Sequence, residues 1–179
     1  SKGLVGSEMC IRDRAYLAAL ADAMKEEYET IVGAGLDLQL DCPDLALSRH
    51  MLFADLSDDE FVKIATMHVE ALNHALRDID PARVRVHICW GNYEGPHVCD
   101  IDMDKVFSTL MNTRARYVLF ETSNPRHAHE WTVFRDRASE IPDDKVLVPG
   151  VVDTTTNFVE HPELVAERIA RFVDIVGAE

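Results

Sequence analysis

The sequence predicts an α/β fold, a partial (β/α)8 barrel of about four strand–helix units that lacks its first strands and its last strand. Three observations predict it. Helix-like and strand-like periodicities alternate strictly along the 179 residues, and such alternation calls for a parallel sheet with helices outside it. Each strand-like segment ends in a reactive polar group: Asp41, then His87 with Cys89, then Glu121, then Asp153. A TIM barrel gathers its C-terminal strand ends at one mouth, whereas a doubly wound sheet gathers ligands at a switch point. No GxGxxG or GxxxxGKS/T stretch offers a nucleotide cradle. Four units make half a barrel, so the remaining strands are expected from sequence beyond this chain or from another chain.

The elements are taken in chain order. Residues 1–14, SKGLVGSEMCIRDR, carry no initiating Met and differ in composition from the rest of the chain. They look like translated sequencing-adapter sequence and are read as a non-native leader, Cys10 included, on a fragment. The incomplete barrel domain is assigned to residues 15–179. Residues 15–35 have helical spacing closed by Gly33 and Gly35. LDLQLD, residues 36–41, alternates as a short strand before Pro43.

Ser57 and Glu60 form a capping box, with Leu56 and Phe61 placed for a hydrophobic staple. The helix they open is expected to reach about Arg77, with Val62, Ala65, Val69, Leu72 and Leu76 on one stripe. RVRVHICW (83–90) then reads as a strand that breaks at Gly91, and 102–114 as a helix. YVLFE (117–121) is a strand, 126–138 a helix, and KVLVPGVVD (145–153) a strand. Residues 161–177 form the last helix, with Pro162 in its first turn and Gly177 at its end.

Composition excludes some partners. With 18 Lys and Arg against 32 Asp and Glu, the formal net charge is -14. A chain this acidic repels phosphate backbones, and no basic patch interleaved with aromatics offsets it, so no nucleic-acid partner is expected. No apolar run is long enough to span a bilayer and no segment reads as a signal peptide. No membrane association is expected, and the cytoplasm is the expected compartment. There Cys10, Cys42, Cys89 and Cys99 would be free thiols, metal ligands or packing residues rather than disulfides.

The run HICWG holds the chemistry. His87 and Cys89 are two apart in a strand, so their side chains leave one face. Imidazole and thiolate both suit zinc. Glu121 ends the next strand and is expected about 4.8 Å away, one strand spacing. Together these three have the chemistry for three legs of a tetrahedral zinc site, with plain packing of His87 and Cys89 as the alternative.

The other polar residues read more plainly. Cys42 packs under a Pro turn. His97 and Cys99 are loop residues. His127 and His129 start a helix near the mouth, where capping or a surface role is expected, with substrate contact or proton donation as the alternatives. His68 and His74 face solvent, Trp90 and Trp131 pack the rim, and Asp153 either caps a loop or contacts substrate.

His87-Ile88-Cys89, Phe120-Glu121-Thr122-Ser123 and Gly150-Val151-Val152-Asp153 resemble, in order and spacing, the C-terminal catalytic domain of cobalamin-independent methionine synthase. They are closer still to its stand-alone relatives, over about residue 28 to residue 179. The resemblance implies a zinc held by His87, Cys89 and Glu121, with a fourth ligand, a Cys, beyond residue 179. Asp41 inherits the grip on the amino group of homocysteine, and Asp153 a catalytic place. The implied activity is methyl transfer from a 5-methyltetrahydrofolate-type donor to a thiol acceptor in methionine biosynthesis, with zinc keeping the thiol as thiolate and a general acid protonating the leaving nitrogen.

Two positions depart from that pattern. Thr155 stands where the family carries a proton-donating His, and Cys42 where it carries a Glu. The substrate pair therefore stays open, with a zinc-dependent epoxyalkane:coenzyme M-type thiol alkyltransferase, or an inactive fragment, as alternatives.

Overall fold

The structure is a computed structural model that describes residues 2–92 and 94–178, with side chains described from Arg14 onward. Ten elements organise it. Helix α1 (Lys2–Gly33) leads into β1 (Leu38–Cys42), then α2 (Leu47–Met51) and α3 (Asp58–Ala75). β2 (Val84–Ile88), α4 (Met103–Met111), β3 (Tyr117–Glu121), α5 (Trp131–Asp136), β4 (Val146–Gly150) and α6 (Pro162–Val176) complete the order. The α1 backbone runs on through the segment read as a leader; Cys10 lies outside the described side chains. Among the described residues no helix is long and apolar enough to cross a membrane.

The four strands form one parallel sheet in the order β1-β2-β3-β4. Parity divides its residues. Leu38, Cys42, Val84, Val86, Ile88, Val118 and Phe120 point to one side and are buried there with residues of α3, α4, α5 and α6. The other side carries Gln39, Asp41, Arg85, His87, Tyr117, Leu119 and Val148, all exposed or half-buried. Sequential strand order with α1, α3, α4, α5 and α6 packed on one face makes a one-sided sheet. Among the described residues it stays open, with β1 and β4 as its edges.

Aromatic packing secures the covered side. Phe120 of β3 stacks on Phe134 of α5 at 4.3 Å between ring centroids, and Phe107 of α4 and Phe172 of α6 each lie 5.6 Å from Phe134. One four-ring cluster thus ties three helices to the sheet. The capping box expected at α3 is present in both halves: the Glu60 N–H donates to Ser57 Oγ at 3.3 Å and the Ser57 N–H to Glu60 Oε2 at 2.9 Å. Ala65, Val69 and Leu76 of the expected stripe are buried, Val62 and Leu72 partly so, and Phe61 joins them with its ring 6.0 Å from that of Phe53.

Two boundaries and one added element differ most from expectation. The strand expected over 145–153 ends at Gly150, so Asp153 sits in the following loop rather than at a strand end. The helix expected over 126–138 is confined to Trp131–Asp136, because Asn124 and Pro125 make a turn first: Asn124 Oδ1 accepts the Arg126 N–H at 3.0 Å and its carbonyl accepts those of His127 and Ala128. α2 was not expected. Its Arg49 is buried, donates to the carbonyls of Phe53 and Ala54 and pairs with Asp58 at 3.2 Å, an arrangement no local periodicity announces.

Candidate functional site

The site grows from the ends of β1 and β2 on the open face. Asp41 and His87 are register partners, and Asp41 Oδ1 lies 2.7 Å from His87 Nδ1. Cys89 lies one residue beyond β2 and shares the parity of His87. One ligand atom each from Asp41, His87 and Cys89 lies within 4.8 Å of those of the other two. Nitrogen, sulfur and carboxylate oxygen so placed form a donor set that fits zinc.

Cys89 is fixed from both directions along the chain. Leu47 N–H donates to its carbonyl at 2.9 Å and Gly91 N–H to its Sγ at 3.3 Å. Gly91 adopts φ +90°, and a Cβ there would lie 2.7 Å from Leu47 Cδ1, so the break in the strand requires glycine. Burial pushes the Cys89 thiol up, the Gly91 N–H works against that, and the Asp41 charge adds to the rise. Cys42, by contrast, is packed away on the helix side, and burial pushes its thiol up to about 12. It borders an apolar cavity of about 380 Å³ under α1, away from the His87–Cys89 pair.

A smaller cavity of about 200 Å³ lies over the strand ends, walled by His87, Cys89, Glu121, Arg126, His127 and Thr154 among others. Glu121 therefore shares the cavity but stands outside the close group of three. Its Oε1 accepts from the Ser123 N–H, from the Ser123 hydroxyl at 2.6 Å and from the Asn124 N–H at 2.9 Å. Gly150 leaves it room on the β4 side, since a Cβ there would come within 3.8 Å of Glu121 Oε2 and 3.2 Å of the Phe120 carbonyl.

Asp41, expected to grip a substrate amino group, lies against His87. Asp153 is buried in its own loop: Oδ1 accepts from Thr155 N–H at 2.9 Å and Thr155 Oγ1 at 2.7 Å, while its own N–H donates to Glu160. Thr155 Oγ1 in turn accepts from Asn124 Nδ2 at 3.0 Å, and Thr154 Oγ1 donates to Asn92 at 3.1 Å. These bonds stitch the loops after β2, β3 and β4 together behind the cavity.

Sequence reading missed a buried network beside it. His127, 5% exposed, lies between Glu130 (Nδ1 to Oε2, 2.9 Å) and Asp100 (Nε2 to Oδ2, 3.1 Å). Asp100 also meets His97 at 2.9 Å, and Glu130 Oε1 accepts the Met103 N–H at 2.6 Å. Burial opposes charge on His127, but the two carboxylates more than offset it and raise its pKa to about 9. The acid–base pairing needs residues 97, 100, 127 and 130 together, a spacing that no local motif carries. His68 and His74 take partners too, Asp44 and Asp22, and Trp90 is buried with its Nε1 donating to the Ile101 carbonyl at 2.8 Å.

Fold and site together define an α/β protein with a one-sided parallel sheet and a mixed nitrogen–sulfur–oxygen donor set at its strand ends. Among curated proteins the chain is similar to the 2-hydroxypropyl-CoM lyase of Xanthobacter autotrophicus, at 23% identity over 192 residues. The match takes in 94% of this chain and 46% of that protein, so the chain spans less than half the length of the relative. No family model matches the chain, and no solved structure matches it significantly.

Proposed function

We propose that this chain is part of a (β/α)8-barrel enzyme that uses zinc to activate a small thiol in alkyl-transfer or alkyl-cleavage chemistry, of the type the lyase relative's name denotes. The observation that carries this reading is the grouping of Asp41, His87 and Cys89 on the open face of the sheet, at the strand ends where barrel enzymes place their chemistry. Likeness to a protein named for its action on 2-hydroxypropyl-CoM supports it. Zinc held there would stabilise a substrate thiol as thiolate at neutral pH.

The chain's own groups prepare that event. The Asp41 carboxylate holds His87 Nδ1–H, which sets the tautomer and leaves Nε2 as the donor atom. Cys89 gives up its proton on coordination, and the Gly91 N–H steadies the sulfur charge. Glu121 keeps one carboxylate oxygen outside its loop hydrogen bonds and stands as a further oxygen donor or proton acceptor in the same cavity.

Methyl transfer from a folate-type donor to homocysteine is the second reading, favoured by the order of the His87-Ile88-Cys89, Glu121 and Asp153 motifs. It lacks a proton donor at Thr155, whose hydroxyl is already committed to Asp153 and Asn124. The test is zinc stoichiometry of the chain, of a form extended through the next strand, and of Cys89→Ser, with turnover assays on the extended form. One tightly bound zinc lost in Cys89→Ser, with thiol-dependent epoxide or thioether turnover, is the expected result. Methyl transfer to homocysteine would move the assignment to the second reading, and no zinc at either length would end both.

A further inference from the structure

We propose that His127 is a positioning residue for the Cys89 thiol: it clamps the Trp90 indole and through it holds Cys89 beside His87. The proposal rests on the thiol-activation reading, in which Cys89 is a metal ligand, and adds to it the device that fixes that ligand in place.

Cys89 needs such a device. The pairing of β2 with β1 ends at Ile88, and its pairing with β3 ends at His87. Cys89 therefore opens the connection between β2 and α4, which carries no helix or strand among the described residues. A ligand on such a segment is only as well placed as the contacts that hold the segment. Leu47 and Gly91 hold the Cys89 carbonyl and sulfur. The next residue, Trp90, is 3% exposed and joins the segment to the core.

Trp90 is gripped from two sides. Its Nε1 donates to the Ile101 carbonyl at 2.8 Å, and its ring lies 4.7 Å from that of His127, tilted by 37°. The His127 ring is itself pinned, with Nδ1 at 2.9 Å from Glu130 Oε2 and Nε2 at 3.1 Å from Asp100 Oδ2. Each carboxylate accepts an N–H, so both nitrogens donate and the ring is an imidazolium. A cationic ring against an indole adds charge–π attraction to ordinary contact. Because Asp100 and Ile101 are consecutive, one short segment holds both the indole nitrogen and the imidazolium that backs the indole.

The same cluster reaches the neighbouring helices. Glu130 Oε1 accepts the Met103 N–H at 2.6 Å, tying the start of α4 to the residue before α5. His127 lines the strand-end cavity with Cys89, yet both its nitrogens are spent on carboxylates, which makes it a support rather than a proton donor. Two carboxylates around one cation leave the cluster net negative, so it gives Cys89 no electrostatic help toward a thiolate. What it supplies is a fixed place.

The test uses the full chain loaded with Co²⁺ at neutral pH, with affinity read from the thiolate-to-cobalt charge-transfer band. Four variants are compared: His127→Gln, Trp90→Phe, the double variant, and Leu76→Ala, a buried residue at the end of α3 that leads into β2. His127→Gln and Trp90→Phe should each weaken cobalt binding about tenfold or more, as for groups that support a metal ligand. The double variant should lose no more than about twofold beyond the more affected single variant, because both act through one contact. Leu76→Ala should lower stability and leave cobalt affinity within about twofold. On metal-free protein, alkylation of Cys89 by iodoacetamide, read from the mass of its peptide, should be faster in His127→Gln. If His127→Gln does not fold, Trp90→Phe carries both readouts.

Cobalt affinity unchanged in His127→Gln, losses that multiply in the double variant, or an equal loss in Leu76→Ala overturns the proposal and leaves thiol activation standing. Absence of the band in the unaltered chain defeats thiol activation instead. Positioning is then judged by alkylation alone, where a rate unchanged in His127→Gln overturns it.

Discussion

The two faces of the sheet obey different rules. On the covered face, Val84, Val86, Ile88, Val118 and Phe120 are buried to within a few per cent and meet helix side chains across an aromatic-rich core. On the open face the same strands present Asp41, Arg85, His87 and Glu121 beside Tyr117, Leu119 and Val148, all exposed or half-buried; Asp41 bonds His87 and Glu121 bonds its own loop. Because side chains alternate, every strand contributes to both faces. Stability is concentrated on one side, so the other is free to carry polar groups whose burial would be costly.

Four substitutions or conditions probe this division, in descending order of their effect on stability. Phe134→Ala removes the centre of the four-ring cluster and should cost about 3–5 kcal/mol in denaturant unfolding. A loss below about 1 kcal/mol would show that the covered face is not the main source of stability.

Next comes the buried network joining the loops after β2 and β3. His127 has a raised folded-state pKa of about 9 against an ordinary value of 6.5. Its contribution is therefore full below pH 6.5 and lost as pH rises through about 9, amounting to about 3 kcal/mol at most. The facing groups are Asp100 and Glu130, with His97 beyond Asp100, and no other charged group is in hydrogen-bond contact with the ring among the described residues. Unfolding measured from pH 6 to pH 10 should show the decline, and His127→Gln should flatten it; an unchanged slope would assign it elsewhere.

Gly91→Ala should cost about 1–3 kcal/mol, since it combines a left-handed backbone with a methyl against Leu47. It should also weaken metal binding by displacing Cys89, which a zinc competition titration would show. Finally, Cys89→Ser on the open face should move the unfolding free energy by no more than about 0.5 kcal/mol while lowering zinc affinity at least about a hundredfold. A large stability loss with unchanged zinc affinity would reverse the roles assigned to the two faces.

Much of this was legible in the residues. Alternation gave away the strands, helices and parallel sheet, and the capping box at Ser57 and Glu60 marked the start of α3 to the residue. His87 and Cys89 declared themselves because a strand has no need of either group. Such features are local: they depend on side-chain spacing and backbone preference over a few residues.

What the tertiary structure alone decided is which distant groups meet. Register between β1 and β2 put Asp41, rather than Glu121, against His87. The turn at Asn124 bent Glu121 into its own loop and presented Arg126 to the cavity, and loop packing buried His127 between two carboxylates from different segments. Asp41 meets His87 and His127 meets Asp100 across tens of positions, which only strand pairing and loop closure bring together. The short-range bonds of Glu121, Arg126 and Glu130 depend on the turn that the tertiary structure imposes after β3.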